Sequence, residues 1–193
     1  MALACWLSLI SSRPSSAAEL TPSISRFTGR YDDLIRAAVR RYWGLYQHPL
    51  EWKAQLYQES RLDPAAVSPV GARGLCQAMP ATFQDWVKHF GWRHANPHVA
   101  KYCIEGGAFY MGQLRAFPDW RGFPDPDRHR LAQAAYNAGA GNIRKAQRRC
   151  GMASTYGGVI DCLASVTGPA NARQTTDYVD RIAKWRAMME AGR

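Results

Sequence analysis

A single, mainly α-helical domain is predicted by two features of the sequence. Apolar residues recur at helical spacing in several separate runs, and stretches rich in Pro and Gly divide those runs. The chain has 193 residues, 47% of them hydrophobic, which is enough to form one well-buried core. No apolar run approaches the ~18 residues that a transmembrane helix needs, so no such helix is predicted.

The predicted helices follow one another along the chain. They are 31–42, 49–60, 80–90, about 97–117, 131–136, 141–146 and 174–190. The apolar face predicted for the first of them consists of Tyr31, Leu34, Ile35, Ala38, Val39 and Tyr42. Residues 117–127 are predicted to form a loop, and residues 150–174 show no clear period. Glycines between Cys150 and Cys162 would let the chain turn back, so a disulfide is predicted there.

Residues 1–25 differ in composition from residues 26–193, which are assigned to the folded domain. A short apolar segment is followed by small, polar residues, and this order is compatible with a secretory signal cleaved near Ala17-Ala18. No Lys or Arg precedes the apolar segment, so an uncleaved flexible leader is the alternative.

The net charge of +10 indicates an anionic partner. Because the basic residues are scattered rather than gathered into a stripe, a nucleic-acid partner is not predicted. The sequence contains neither a Gly-rich phosphate loop nor Cys/His spacing typical of a zinc site, so neither a metal nor a cofactor is predicted.

Glu59 is the candidate catalytic residue. Trp52, Leu56 and Glu59 have i, i+4, i+7 spacing, so the acid shares a face with apolar residues near the end of its helix. Burial and the negative end of the helix dipole both favour a protonated carboxyl group, which is the form that a general acid requires. The alternative is a surface glutamate on the last helical turn.

The stretch after Glu59 has the pattern of a constrained loop. Asp63-Pro64 is predicted to stop the helix, and residues 68–74 are turn-forming. Gln77 and Met79 then lead into a helix that begins at Pro80. This stretch resembles the signature of the soluble lytic transglycosylase (SLT) family: Glu-Ser, Asn/Asp-Pro, Ser-x-x-Gly-Ala-x-Gly-Leu-Met-Gln and Met-Pro-x-Thr. Cys76 stands where the family usually has Met, and we interpret this difference as a packing substitution.

Two further segments resemble motifs of the same family. Tyr136-Asn137-Ala138-Gly139 matches Ala-Tyr-Asn-Ala-Gly, although the segment alone is also typical of a helix that ends at a glycine. Residues 174–179 are similar to the motif Glu-Thr-x-x-Tyr-Val, but Gln174 replaces the glutamate. Glutamine can keep a hydrogen bond but supplies no charge, so any role that needs that carboxylate is not expected here.

The resemblance implies a lysozyme-like fold, of the goose-type lysozyme and lytic transglycosylase kind. It implies cleavage of the β-1,4 bond between N-acetylmuramic acid (MurNAc) and N-acetylglucosamine (GlcNAc) in peptidoglycan, with formation of a 1,6-anhydro product. Glu59 would act as acid and then base, while Ser68, Gln77 and Met79 would line the cleft. Tyr136 would face Glu59 across the cleft, and the backbone at Asn137 would help to hold an N-acetyl group.

Peptidoglycan glycan strands are the expected partner, and the cell envelope or periplasm is the expected location. Peripheral envelope contact, a phage virion and a secretion machinery are further settings that the resemblance leaves open. Two other functions also stay open. One is a lysozyme-type hydrolase that uses a second acid such as Asp63 or Asp177. The other is a non-catalytic wall-binding or virion structural protein of the same fold.

Overall fold

The computed structural model describes residues 27–192, and this part of the chain is helical. The helices are α1 (Asp32–Tyr42), α2 (Pro49–Ser60), α3 (Pro80–Phe90), α4 (Ala100–Arg115), α5 (Asp125–Ala138), α6 (Ala140–Arg149), α7 (Tyr156–Ile160), α8 (Ala164–Thr167) and α9 (Pro169–Ala191), with a 3-10 turn at Pro118–Trp120. Extended pairing within the described range is limited to two isolated bridges, one between Val67 and Arg73 and one between Arg73 and Ala78. The mainly α-helical prediction is confirmed. The predicted leader, residues 1–25, lies outside the described residues.

Helix α2 lies at the centre of the fold. Every residue from Trp52 to Glu59 is buried, so the helix is enclosed on all sides instead of having one solvent face. It packs against α1 and, most extensively, against α9. Trp52 donates its indole N–H to the carbonyl of Ile104 on α4 at 3.2 Å. A Cβ at Gly107 would lie 2.7 Å from the Trp52 ring, so this glycine lets α4 approach α2 closely.

The predicted helix 49–60 agrees with α2, which ends at Ser60 because Arg61 and Leu62 take left-handed conformations with φ of 59° and 62°, before the chain reaches Asp63-Pro64. Other predicted boundaries differ from the structure. Helix α4 is shorter than the predicted run 97–117, and α5 already begins at Asp125, inside the predicted loop 117–127.

The C-terminal helix is longer than predicted. It begins at Pro169 rather than at Gln174, because Gly168 has φ of 84° and Pro169 fits the first helical position. Two short helices, α7 and α8, occupy the region for which no period was found. The prediction for Leu34 was wrong, since 42% of its surface is exposed although it was placed on the apolar face of α1.

Two disulfides are present in the described part of the chain. The predicted Cys150–Cys162 bond is confirmed, with Cα atoms 5.8 Å apart. The interpretation of Cys76 as a packing substitution was incomplete, because Cys76 is bonded to Cys103 of α4. Closing a loop of 27 residues is expected to stabilise the fold by about 3.5 kcal/mol, mainly through the unfolded chain. This bond also ties the segment after Glu59 to α4.

His129 is a histidine buried in the core, in surroundings that oppose its protonation. His129 lies against Trp43 and Tyr46, with ring centroids 4.9 Å away in each case. Neither of its ring nitrogens has a hydrogen-bond partner among the described residues, and the nearest carboxylate oxygen, from Glu51, is 3.8 Å away. Burial lowers the pKa of His129 well below its ordinary value, and the positive charge of Arg115 acts in the same direction.

We expect the protein to lose stability as the pH falls below about 6.5. The unfolded chain then binds a proton at His129 near its ordinary pKa of 6.5, whereas the folded protein resists it. Glu51 partly offsets the loss, because burial raises its pKa from 4.5 and thereby favours the fold at low pH. Denaturant titrations should show that lowering the pH from about 7 to about 5.5 costs the wild type about 1 kcal/mol more than His129→Met. Equal losses in the two proteins would contradict this assignment.

Candidate active site

Glu59 is a buried acid at the end of the central helix. Only 7% of its surface is exposed, as the predicted position on the apolar face requires, so it is not a surface glutamate. Its Oε1 accepts a hydrogen bond from the hydroxyl of Tyr178 on α9 at 2.5 Å. The next residue, Ser60, donates its hydroxyl to the carbonyl of Leu75 at 2.9 Å. Tyr178 of α9 therefore positions the carboxylate, while Ser60 ties the end of α2 to the segment that follows it.

Residues 66–80, here called the signature loop, fold back on themselves beside the end of α2. Ser68 and Ala72 are joined by two hydrogen bonds of 2.9 Å. The Ser68 hydroxyl oxygen accepts the backbone N–H of Ala72, and the backbone N–H of Ser68 donates to the Ala72 carbonyl. Arg73 and Ala78 exchange backbone hydrogen bonds of 3.0 and 3.1 Å. Ser68, a predicted binding residue, thus uses its side chain to close the first turn of this loop.

Gln77 occupies a strained position in the signature loop. Its φ is 46°, which is uncommon for a residue with a side chain, and the residue is buried. Its amide Nε2 donates to the carbonyl of Gly74 at 3.0 Å and to that of Ala66 at 3.3 Å. These bonds hold both ends of the turn together. Met79, two residues later, is half-buried and is the N-cap residue of α3.

Tyr136 supports the signature loop from the side of α5. Its ring is almost completely buried and lies 5.5 Å from that of Tyr110 and 6.4 Å from that of Trp52. Its hydroxyl donates to the carbonyl of Cys76 at 2.8 Å. Tyr136 therefore joins the helix α5 to the loop that carries Gln77.

Asn137, at the end of α5, is held by the C-terminal helix. Its Oδ1 accepts the hydroxyl of Thr175 at 3.0 Å. Thr175 and Tyr178 are three residues apart on one face of α9, so a single helical face contacts both Asn137 and Glu59. Gly139 then takes a φ of 85° and separates α5 from α6.

Sequence reasoning assigned no site role to Thr175 or Tyr178. The available signal was the C-terminal motif itself, because its Thr and Tyr have the i, i+3 spacing that places both on one helical face.

Replacing Tyr178 by Phe should lower kcat by about tenfold with a smaller change in KM. The hydroxyl positions the Glu59 carboxylate, and its loss leaves the aromatic packing in place. Steady-state kinetics on soluble glycan fragments provides the measurement. Tyr31→Phe is the matched control, because Tyr31 is a buried tyrosine that packs outside this site. An equal effect of both substitutions would contradict the positioning role.

The two aspartates that were considered as a second acid make other contacts. Asp63 accepts the N–H of Ala65 at 2.8 Å, so its carboxylate stabilises the turn after α2. The side chain of Asp177 is 59% exposed and lies 3.6 Å from Arg181. Among residues 27–192, no three His, Cys, Asp or Glu side chains are close enough together to hold one metal ion.

The sequence of this chain matches a known protein family. Residues 47–156 match the model of the transglycosylase SLT domain. The chain is 31% identical over 180 residues to the membrane-bound lytic murein transglycosylase F of Maricaulis maris, an alignment that covers 84% of this chain and 36% of the relative.

Solved structures show the same fold. The 70-kDa soluble lytic transglycosylase of Escherichia coli superposes with a TM-score of 0.66 at 25% identity, covering 86% of this chain and 25% of that one. A complex of a 70-kDa soluble lytic transglycosylase with bulgecin A superposes with a TM-score of 0.65 at 25% identity. This match also covers 86% of this chain and 25% of that one. The chain thus spans about a third or less of the length of these relatives. The predicted lysozyme-like fold is confirmed, and the chain belongs to the transglycosylase SLT domain family.

Proposed function

We propose that this protein is a peptidoglycan lytic transglycosylase that cleaves the β-1,4 bond between MurNAc and GlcNAc. The observation that carries the proposal is the buried Glu59 carboxylate, fixed by Tyr178 beside the signature loop. An ionisable group enclosed at the end of a helix, and held by residues from distant parts of the chain, is typical of a catalytic acid.

A single acid is sufficient for both halves of the reaction. Glu59 in its acid form donates a proton to the glycosidic oxygen as the bond from that oxygen to C1 of MurNAc breaks. The resulting carboxylate then takes the proton of the MurNAc 6-hydroxyl, whose oxygen bonds to C1. The products are a 1,6-anhydro end and a free hydroxyl on GlcNAc, and Glu59 is protonated again, so no water is consumed. The acetamido oxygen of the substrate can stabilise the positive charge that develops at C1.

The remaining predicted site residues have supporting roles in this proposal. Ser68 and Gln77 keep the signature loop in shape beside Glu59, and Met79 offers a half-buried apolar contact where α3 begins. Tyr136 holds the Cys76 carbonyl, and Asn137 is positioned through Thr175 so that the adjacent backbone can receive an N-acetyl group.

The alternatives have less support from the contacts of the described residues. A hydrolase would need a second carboxylate for water, yet Asp63 is engaged in a turn and Asp177 points into solvent. A non-catalytic wall-binding protein would have no need for a buried acid with a dedicated hydrogen-bond donor, since burying such a group costs stability.

We propose the cell envelope, facing the peptidoglycan, as the place of action. The Maricaulis maris relative is described as membrane-bound, and the net charge of +10 favours attraction to anionic envelope polymers. Within residues 27–192, no helix combines the length and the apolar character needed to cross a bilayer.

Incubation with purified peptidoglycan sacculi tests the proposed function. We expect the wild-type protein to release soluble muropeptides that carry 1,6-anhydroMurNAc ends, as identified by mass spectrometry. Release of muropeptides with reducing ends would establish a hydrolase instead. Release no greater than in a buffer control would establish a binding protein.

A further inference from the structure

The exposed face of α6 concentrates positive charge. Between residues 139 and 168 the chain has four basic residues, all on α6, and one acid, Asp161. Arg144 is paired with Asp119 at 2.7 Å. The other three basic side chains are exposed, and within residues 27–192 they form no ion pair: Lys145, Arg148 and Arg149.

The position of these cations at a helix end explains only part of their arrangement. Arg148 and Arg149 lie in the last turn of α6, where the helix dipole favours positive charge. Lys145 lies before that turn, yet it shares a face with both arginines at i, i+3, i+4 spacing. Exposed arginines on other helices have carboxylates close by, as in the pair Arg130–Asp180 at 3.2 Å. The face of α6 therefore presents three cations to the surroundings of the protein.

An exposed apolar side chain lies just beyond these cations. Met152 is 54% exposed, although large apolar side chains are usually buried. Its backbone N–H donates to the carbonyl of Gln147 on α6 at 2.9 Å, and Cys150 is bonded to Cys162. This turn is therefore preformed, so little conformational entropy is lost when Met152 contacts a surface. Lys145, Arg148, Arg149 and Met152 are here called the α6 tip.

The chemistry of the α6 tip matches the surface of an anionic bilayer. Lipid phosphates attract Lys and Arg side chains, and each cation near such a surface strengthens binding by about fivefold. The Met152 side chain can enter the boundary between headgroups and acyl chains. A dissolved polyanion would use the three cations but would gain nothing from Met152, so the combination favours a lipid surface.

Helix α6 also separates this tip from the candidate active site. The helix follows Gly139, two residues after Asn137, and runs for 10 residues to Arg149. At 1.5 Å per residue its length is about 15 Å. A bilayer bound at the C-terminal end of α6 would therefore leave the Asn137 region accessible.

We propose that the α6 tip docks the protein on a bilayer surface that contains anionic phospholipid. The contact is peripheral and uses the cations together with Met152. Lipid binding requires no cleavage of a glycosidic bond, so this inference does not depend on the proposed function and is measured without peptidoglycan.

The test compares two triple variants of the full chain that lose the same charge. The first variant removes the cations of the α6 tip by Lys145→Gln, Arg148→Gln and Arg149→Gln. The control removes one lysine and two arginines that are exposed on separate elements, by Arg40→Gln, Arg93→Gln and Lys184→Gln. Circular dichroism and thermal unfolding check that both variants are folded.

Co-sedimentation with vesicles of phosphatidylglycerol and phosphatidylcholine provides the measurement. At physiological salt we expect the α6 variant to bind about a hundredfold more weakly than the control. Lys145→Gln alone should weaken binding by about fivefold, which keeps the test decisive if the triple variant fails to fold. Met152→Ser should weaken vesicle binding by about threefold and leave the binding of soluble polyphosphate unchanged.

Equal losses in the two triple variants would overturn the proposal, because they would show that net charge alone governs lipid binding. Wild-type protein that binds vesicles of pure phosphatidylcholine as tightly as the anionic vesicles would also overturn it. A third contrary result is vesicle binding unchanged by Met152→Ser, together with equally tight binding of polyphosphate. That result would assign the α6 tip to dissolved polyanions instead.

Discussion

Glu59→Gln is expected to reduce muropeptide release by about a thousandfold while the protein stays folded. The substitution keeps the size and hydrogen-bonding capacity of the side chain, including its capacity to accept from Tyr178. It removes the only proton that the proposed mechanism transfers to the leaving oxygen. The rate is measured from soluble product released from sacculi, and the fold from thermal unfolding.

Glu51→Gln is the matched control for this substitution. Glu51 is a mostly buried glutamate at the opposite end of the same helix, so the change is chemically identical. Its carboxylate lies 3.4 Å from Arg186, and its loss should affect stability rather than turnover. Near-normal release by folded Glu59→Gln protein, or an equal loss of activity in Glu51→Gln, would contradict the role of Glu59.

Gly74→Ala should destabilise the protein by about 4 kcal/mol and abolish activity. The added Cβ would lie 2.0 Å from the carbonyl oxygen of Pro97, and backbone atoms cannot give way as a flexible side chain can. Gly74 also has a φ of 72°, which disfavours any side chain. Because the Gly74 carbonyl accepts the amide of Gln77, displacement of the loop would disturb the active site directly.

Gly71→Ala separates the cost of a positive φ from the cost of the steric clash that is expected in Gly74→Ala. Gly71 belongs to the same loop and has a φ of 85°, but an added Cβ would meet no atom within 4 Å. The cost should therefore be only the conformational one, about 1 kcal/mol, with activity largely kept. Denaturant unfolding of both variants measures the difference, and equal destabilisation would argue against the close approach of residues 74 and 97.

The common face of Trp52, Leu56 and Glu59 on α2 could be predicted because it depends on local information. The spacing of Trp52, Leu56 and Glu59 places them on one helical face whatever the rest of the chain does. The same holds for the start of α3 at Pro80, since proline suits the first helical turn. The Cys150–Cys162 bond was also accessible, because only a short, glycine-containing segment separates its ends.

The contacts that complete the site depend on the packing of distant segments. Tyr178 is 119 residues from Glu59, and their pairing follows from the way α9 docks on α2. Cys76 and Cys103 are joined only because the signature loop packs against α4. The left-handed conformation of Gln77 is a similar case, since tertiary contacts hold a residue whose own preference lies elsewhere.

The central claim is that one acid cleaves the strand with no water in the reaction. Digestion of sacculi in water labelled with heavy oxygen tests this claim most directly, because only hydrolysis places an oxygen atom of the solvent at C1 of MurNAc. The single-acid mechanism predicts muropeptides with anhydro ends and unlabelled oxygen, formed because the tethered 6-hydroxyl outcompetes water. Muropeptides with reducing ends that carry the heavy isotope would contradict it.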